Sequence, residues 1–107
     1  MTVDPSRALR FCPSSELPEG GAKSRLLDGV PVGVARLGGR VAAFGALCPH
    51  QQADLTEGIV EDGGITCPAH LWHFDLSSGA CGMVPGAQVP IYRAHEEDGW
   101  ILVELTP

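Results

Sequence analysis

Two cysteines and two histidines stand in matched pairs within one quarter of the chain: Cys48-Pro49-His50, sixteen intervening residues, then Cys67-Pro68-Ala69-His70. Two soft thiolates with two imidazoles can hold a single tetrahedral zinc or a two-iron cluster. Zinc modules usually take a pair of cysteines from one segment and a pair of histidines from another. Here each segment supplies one of each kind. That interleaving fits a cluster in which one iron takes both cysteines and the other both histidines, with two loops clasping it from opposite sides. A zinc-stapled module without redox chemistry is the alternative for the same four residues, and iron content with visible absorbance separates the two. A nucleophilic Cys/His pair needs one activated thiolate in a substrate cleft, so two matched pairs are redundant for it. "PEGGAK" at 18–23 lacks the length and the following Ser/Thr of a phosphate-cradling loop.

The remaining residues of these types read as bystanders. His73 is not at ligand spacing and is expected to be a half-exposed strand residue, and His95 in "RAHEEDG" a solvated turn residue. Cys12 and Cys81 are expected to be free thiols, Cys81 a buried neighbour of the second pair. Phe74 and Trp100 are expected to pack in the interior, whereas Trp72 suits either a docking surface or the core.

The paired residues need rigid elements beneath them. Fourteen Gly and nine Pro punctuate the 107 residues heavily, while a 44% hydrophobic content excludes a disordered chain. No window of helical length carries a 3.6-residue apolar period. Short apolar or alternating runs recur instead at 7–11, 24–37, 40–47, 63–67, 71–76, 90–94 and 100–105. Asp28-Gly29, Gly38-Gly39, Asp62-Gly63 and Asp98-Gly99 are tight-hairpin dipeptides. This rhythm predicts an all-β sandwich or barrel in a single domain, 1–107. "PSSEL" at 13–17 could form one helical turn with Ser14 as its cap. Cys48 then follows one strand and Cys67 ends another, so both pairs sit in loops at strand ends.

The net charge of -6 and seven scattered basic residues exclude nucleic acid as a partner, since neutralising phosphates takes clustered Lys and Arg. An acidic carrier instead suits a partner with a basic face. No stretch reaches the ~18 apolar residues of a membrane span, and the N-terminus lacks a signal-peptide core, so the expected location is cytoplasmic, with no membrane partner.

The two pairs, continued through "HLWHFDLSSGACGMVPG" and "VPIYRAHEEDGWILVEL", resemble the Rieske 2Fe-2S family, and most of all the small ferredoxins of multicomponent aromatic-ring dioxygenases and aromatic monooxygenases. The resemblance implies an antiparallel β-sandwich or barrel base with a small cluster-binding subdomain over about 46–86. It implies one 2Fe-2S cluster with Cys48 and Cys67 on one iron and His50 and His70 on the outer iron, and Pro85 in a third loop that covers the cluster. The implied role is a soluble one-electron carrier without bond chemistry of its own, between a flavoprotein ferredoxin reductase and a terminal oxygenase. A small redox subunit of a nitrite-reductase-like enzyme is the alternative. High-potential relatives carry an extra cysteine in each loop and a serine after the second. This chain has Gln52 or Ala53, Ala69, Leu71 and Trp72 near those places, so its potential is expected at the low end of the Rieske range of about -150 to +300 mV.

Overall fold

The computed structural model describes residues 8–49, 53–68, 71–82 and 84–105. Nine strands form two antiparallel sheets: β1 (Ala8–Pro13), β2 (Ala22–Leu27), β3 (Val30–Leu37), β4 (Arg40–Gly45), β5 (Ile59–Glu61), β6 (Gly64–Thr66), β7 (His73–Asp75), β8 (Ile91–Glu97) and β9 (Trp100–Glu104). The larger sheet runs in the order β1-β9-β8-β4-β3-β2, and the smaller is β5-β6-β7. Four two-residue turns fall on the four dipeptides named above. Both central residues have positive φ in each, from Asp62 at 49° to Gly99 at 81°, the backbone that right-twisted hairpins require.

β4 and β8 pair directly, through Ala43 with Tyr92 and Phe44 with Ile91. Everything between them, residues 46–90, is an excursion that leaves the large sheet and returns to the same place. Its neck is closed by the Gly45 N–H donating to the Pro90 carbonyl at 2.9 Å.

β3 and β4 are buried on both faces, which explains their nearly continuous apolar runs. Val32, Val34 and Ala43 point into one core with Phe11, Leu17, Leu27, Ile101 and Val103. Side chains alternate along a strand, so Ala35 and Phe44 point the other way, into a second core shared with the excursion's Leu55, Ile65, Phe74 and Leu76. Gly33 stands opposite Phe44 in register. A Cβ there would come within 2.7 Å of the Phe44 ring and 2.9 Å of the Thr56 methyl, so the missing side chain makes room for the excursion to seat.

Arg36 ties the far end of the large sheet together. Its guanidinium donates to both Glu96 carboxylate oxygens at 2.8 Å and to the Leu17 carbonyl at 2.7 Å. That hydrogen-bonded pair holds the Glu96 carboxyl down at about 2.

Three expectations shift. β5 was not anticipated, because Ile59-Val60-Glu61 is too short to show a period and its pairing with β6 creates it. The helical turn spans Ser14–Glu16, but Pro13 occupies the cap position without a side-chain bond, since its fixed φ already ends β1. His95 lies within β8 rather than in a turn, half-buried and 3.5 Å from Glu97.

Candidate metal centre

Cys48 and Cys67 make matching backbone hydrogen bonds. The Cys48 N–H donates to the Ala53 carbonyl at 2.8 Å, and the Cys67 N–H donates to the Trp72 carbonyl at 2.7 Å, five residues on in both cases. Each cysteine thus opens a six-residue loop closed at its base. The first loop follows β4 through an isolated bridge between Leu47 and Asp54. The second joins β6 to β7. Both thiols are fully buried and share one apolar core. His50, Ala69 and His70 lie outside the described residues.

The first loop is pinned to the large sheet from behind. Asp54 accepts from the Ser24 hydroxyl of β2 at 2.6 Å, from the Thr56 hydroxyl at 2.6 Å and from the Thr56 N–H at 2.9 Å. Burial alone would raise the Asp54 pKa, but the bonds from Ser24 and Thr56 outweigh it and the net shift is downward. A carboxyl with a lowered folded-state pKa stabilises above its unfolded value, near 3.9, and loses that contribution as pH falls through the folded value. Asp54→Asn is therefore expected to cost about 1–2 kcal/mol at pH 7 and progressively less below pH 4, as read by denaturant unfolding. A cost unchanged between pH 7 and pH 3 would contradict it.

Beneath the second loop lies a polar chain across three strands. The buried Thr66, one residue before Cys67, donates from its hydroxyl to Glu61 at 3.1 Å and meets His73 Nδ1 at 3.1 Å. The single hydroxyl proton is committed to Glu61, so His73 donates from Nδ1. His73 is half-buried at the start of β7, as expected, and its hydrogen bond is what the spacing did not show.

The third segment is closed by the Cys81 N–H donating to the Ala87 carbonyl at 3.0 Å. Within it Val84-Pro85-Gly86-Ala87 form a turn, with the Ala87 N–H on the Val84 carbonyl at 3.1 Å and Gly86 at φ 86°. Proline second and left-handed glycine third define a type II turn. Pro85 is exposed.

All four cysteines are buried and none is bridged. Cys81 belongs to the same core as Cys48 and Cys67. Cys12 lies in the other core, where burial pushes its thiol pKa up. Phe74 is fully buried. Trp72 and Trp100 are half-buried, and the Arg10 guanidinium lies 4.9 Å from the Trp100 ring centroid.

Among the described residues of the site, Leu71 has an unusual backbone. Its φ is 60°, and its N–H donates to the Cys67 carbonyl at 2.9 Å. The other described non-glycine residues with positive φ are Asp28, Asp62 and Asp98, all first residues of Asp-Gly turns and tolerant of that region. For leucine the conformation costs about 1–2 kcal/mol.

The donor chemistry fits an iron–sulfur group. Two buried thiols open matched loops, and their burial in apolar surroundings excludes water from the sulfurs. An all-β frame that presents such a pair defines a protein built to mount a metal cluster between two loops. The comparisons name the class more closely. The chain belongs to the Rieske [2Fe-2S] domain family, whose sequence pattern matches residues 7–93. It is 34% identical over 91 residues to the anthranilate 1,2-dioxygenase ferredoxin subunit of Burkholderia cepacia, with 84% of each chain covered. Its fold matches the ferredoxin of carbazole 1,9a-dioxygenase from Nocardioides aromaticivorans IC177 with a TM-score of 0.85 and 30% identity, covering 92% of this chain and 98% of that one. A Mycobacterium tuberculosis protein described as an NADH-dependent nitrite reductase small subunit matches with a TM-score of 0.86 and 30% identity, over 94% of this chain and 96% of that one.

Proposed function

We propose that this protein is a one-electron carrier that serves a terminal oxygenase through one Rieske 2Fe-2S cluster, bound by Cys48 and Cys67 on one iron and by His50 and His70 on the other. The observation that carries the reading is the pair of buried thiols opening matched loops in a Rieske frame. When bound, the cluster supplies one reversible electron step. With neutral imidazoles its oxidised formal charge is zero, so reduction adds a single negative charge to a centre that starts with none, which lifts the potential above that of four-cysteine clusters. The chain's part is to hold the thiols dry, to fix the two loops by the Cys48 and Cys67 N–H bonds, and to anchor the first loop through Asp54. In this reading residues 46–86 are the cluster-binding part of one domain, Pro85 belongs to its cover, and a flavoprotein reductase in the cytoplasm is the electron donor.

The distribution of charge supports a basic acceptor. The seven Lys and Arg residues, scattered along the sequence, all fall outside 46–90, whereas Asp54, Glu57, Glu61, Asp62 and Asp75 fall inside it. All but Asp54 are exposed. The excursion therefore approaches a partner as a negative surface, and attraction of that kind steers encounter and weakens as salt rises. Electron transfer from the reduced holoprotein to a purified terminal oxygenase, followed by stopped-flow absorbance, is expected to slow as ionic strength increases. It should slow further in the double variant Glu61→Lys, Asp62→Lys. A rate independent of both would remove the basic-acceptor reading, and no transfer to any oxygenase would remove the carrier reading.

The Mycobacterium tuberculosis relative favours a second reading, a small redox subunit of a nitrite-reductase-like enzyme. Co-purification with an oxygenase or with a larger reductase decides between them.

A further inference from the structure

Leu71 directly follows the proposed ligand His70 in the sequence, holds a left-handed backbone and leaves 66% of its surface in solvent. Hydrophobic burial does not explain its presence, and glycine would relieve the backbone, since it occupies positive φ without steric cost. A large apolar side chain kept where the backbone favours glycine, and kept exposed, points to something outside the molecule.

From this juxtaposition we infer that Leu71 is a specificity-determining residue, an apolar knob that enters a recess on the terminal oxygenase. The inference rests on the carrier reading and names the residue by which the carrier selects its acceptor. The make-up of residues 46–90 narrows what the recess must be. Pro49 and Pro68, each beside a proposed ligand pair, are exposed, and Leu47 is 39% exposed. The same excursion, residues 46–90, carries the exposed carboxylates of Glu57, Glu61, Asp62 and Asp75 and no Lys or Arg. The complementary partner is an apolar recess on a basic face. An apolar anchor seated in a partner's recess is the kind of contact by which a few residues carry most of an interface's energy.

The test uses holoprotein with its cluster intact and the terminal oxygenase purified from the same organism. Leu71→Gly is expected to keep the visible spectrum and to unfold at the same temperature or a higher one, yet to bind the oxygenase about ten- to a hundredfold more weakly, the worth of a buried leucine. Leu71→Asn, a polar residue that tolerates the left-handed region, should weaken binding alike, and Leu71→Met should restore most of it. Wild-type affinity in Leu71→Gly overturns the inference and leaves the carrier reading standing. A lower unfolding temperature with loss of the cluster also overturns it, because Leu71 then serves the fold. Failure of the wild-type holoprotein to reduce the oxygenase removes the carrier reading and the inference with it.

Discussion

Replacing His70 with alanine is expected to abolish the Rieske electron paramagnetic resonance signal and most of the visible absorbance, and His50→Ala to do the same. The cause is the division of ligands. Cys48 and Cys67 are both fully buried and sit in one core, which suits the proposed assignment of both thiolates to an inner iron and of His50 and His70 to the outer one. On that assignment, removing either imidazole would take away one of the two protein ligands of the outer iron. His73→Ala is the matching control. That imidazole hydrogen-bonds Thr66 at 3.1 Å, so its loss should leave the signal in place. The large sheet contains none of the four proposed ligands, and its far-ultraviolet signature should survive all three substitutions. An unchanged signal in His50→Ala or His70→Ala would refute the ligand assignment, and a signal lost only in His73→Ala would reassign it.

The second large effect is expected from a change of one methyl group. A Cβ on Gly58 would overlap the Thr66 carbonyl oxygen and lie 3.2 Å from the Leu55 carbonyl oxygen. Gly58 ends the short 3₁₀ turn Leu55–Glu57, and the next residue, Ile59, pairs with Thr66 in register. Relief requires β5 to move off β6, and β6 is the strand that delivers Cys67. Backbone oxygens cannot swing aside as a flexible side chain can, so the expected cost of Gly58→Ala is about 3 kcal/mol or more, with poor cluster retention. Gly82 supplies the contrast, because a Cβ there would meet nothing within 4 Å. Chemical denaturation and iron content of the two alanine variants check the pair; equal stability for both would refute the argument.

The two buried thiols at the head of loops were legible because Cys48 and Cys67 stand in matched Cys/His pairs at the ends of apolar runs, and a cluster tolerates little change in ligand type. The four tight turns were legible for a related reason, since Asp-Gly and Gly-Gly are among the few dipeptides that accept positive φ twice in succession. Strands β1 to β4 and β6 to β9 could be read from apolar runs. β5 could not, because three residues carry no period and only Gly64, Ile65 and Thr66 opposite them make a strand of them. The Asp54 anchor and the Glu61–Thr66–His73 chain were equally hidden. The first joins residues thirty apart, and nothing local in Ser24 or Asp54 announces the other. Leu71 shows a different limit. A leucine in sequence implies an interior position or an ordinary surface one, and its left-handed backbone follows from the N–H that it donates to the Cys67 carbonyl.

The neck of the excursion has a consequence for how the protein matures. Gly45 and Pro90 are joined by a hydrogen bond, and the pairing of β4 with β8 beyond them uses no residue from 46–90. The ladder of the large sheet can therefore close before iron and sulfide arrive. Chains that lack the cluster are then expected to keep the strands of the large sheet while residues 46–90 loosen, so that maturation completes one part of the molecule on a frame that the other has already built.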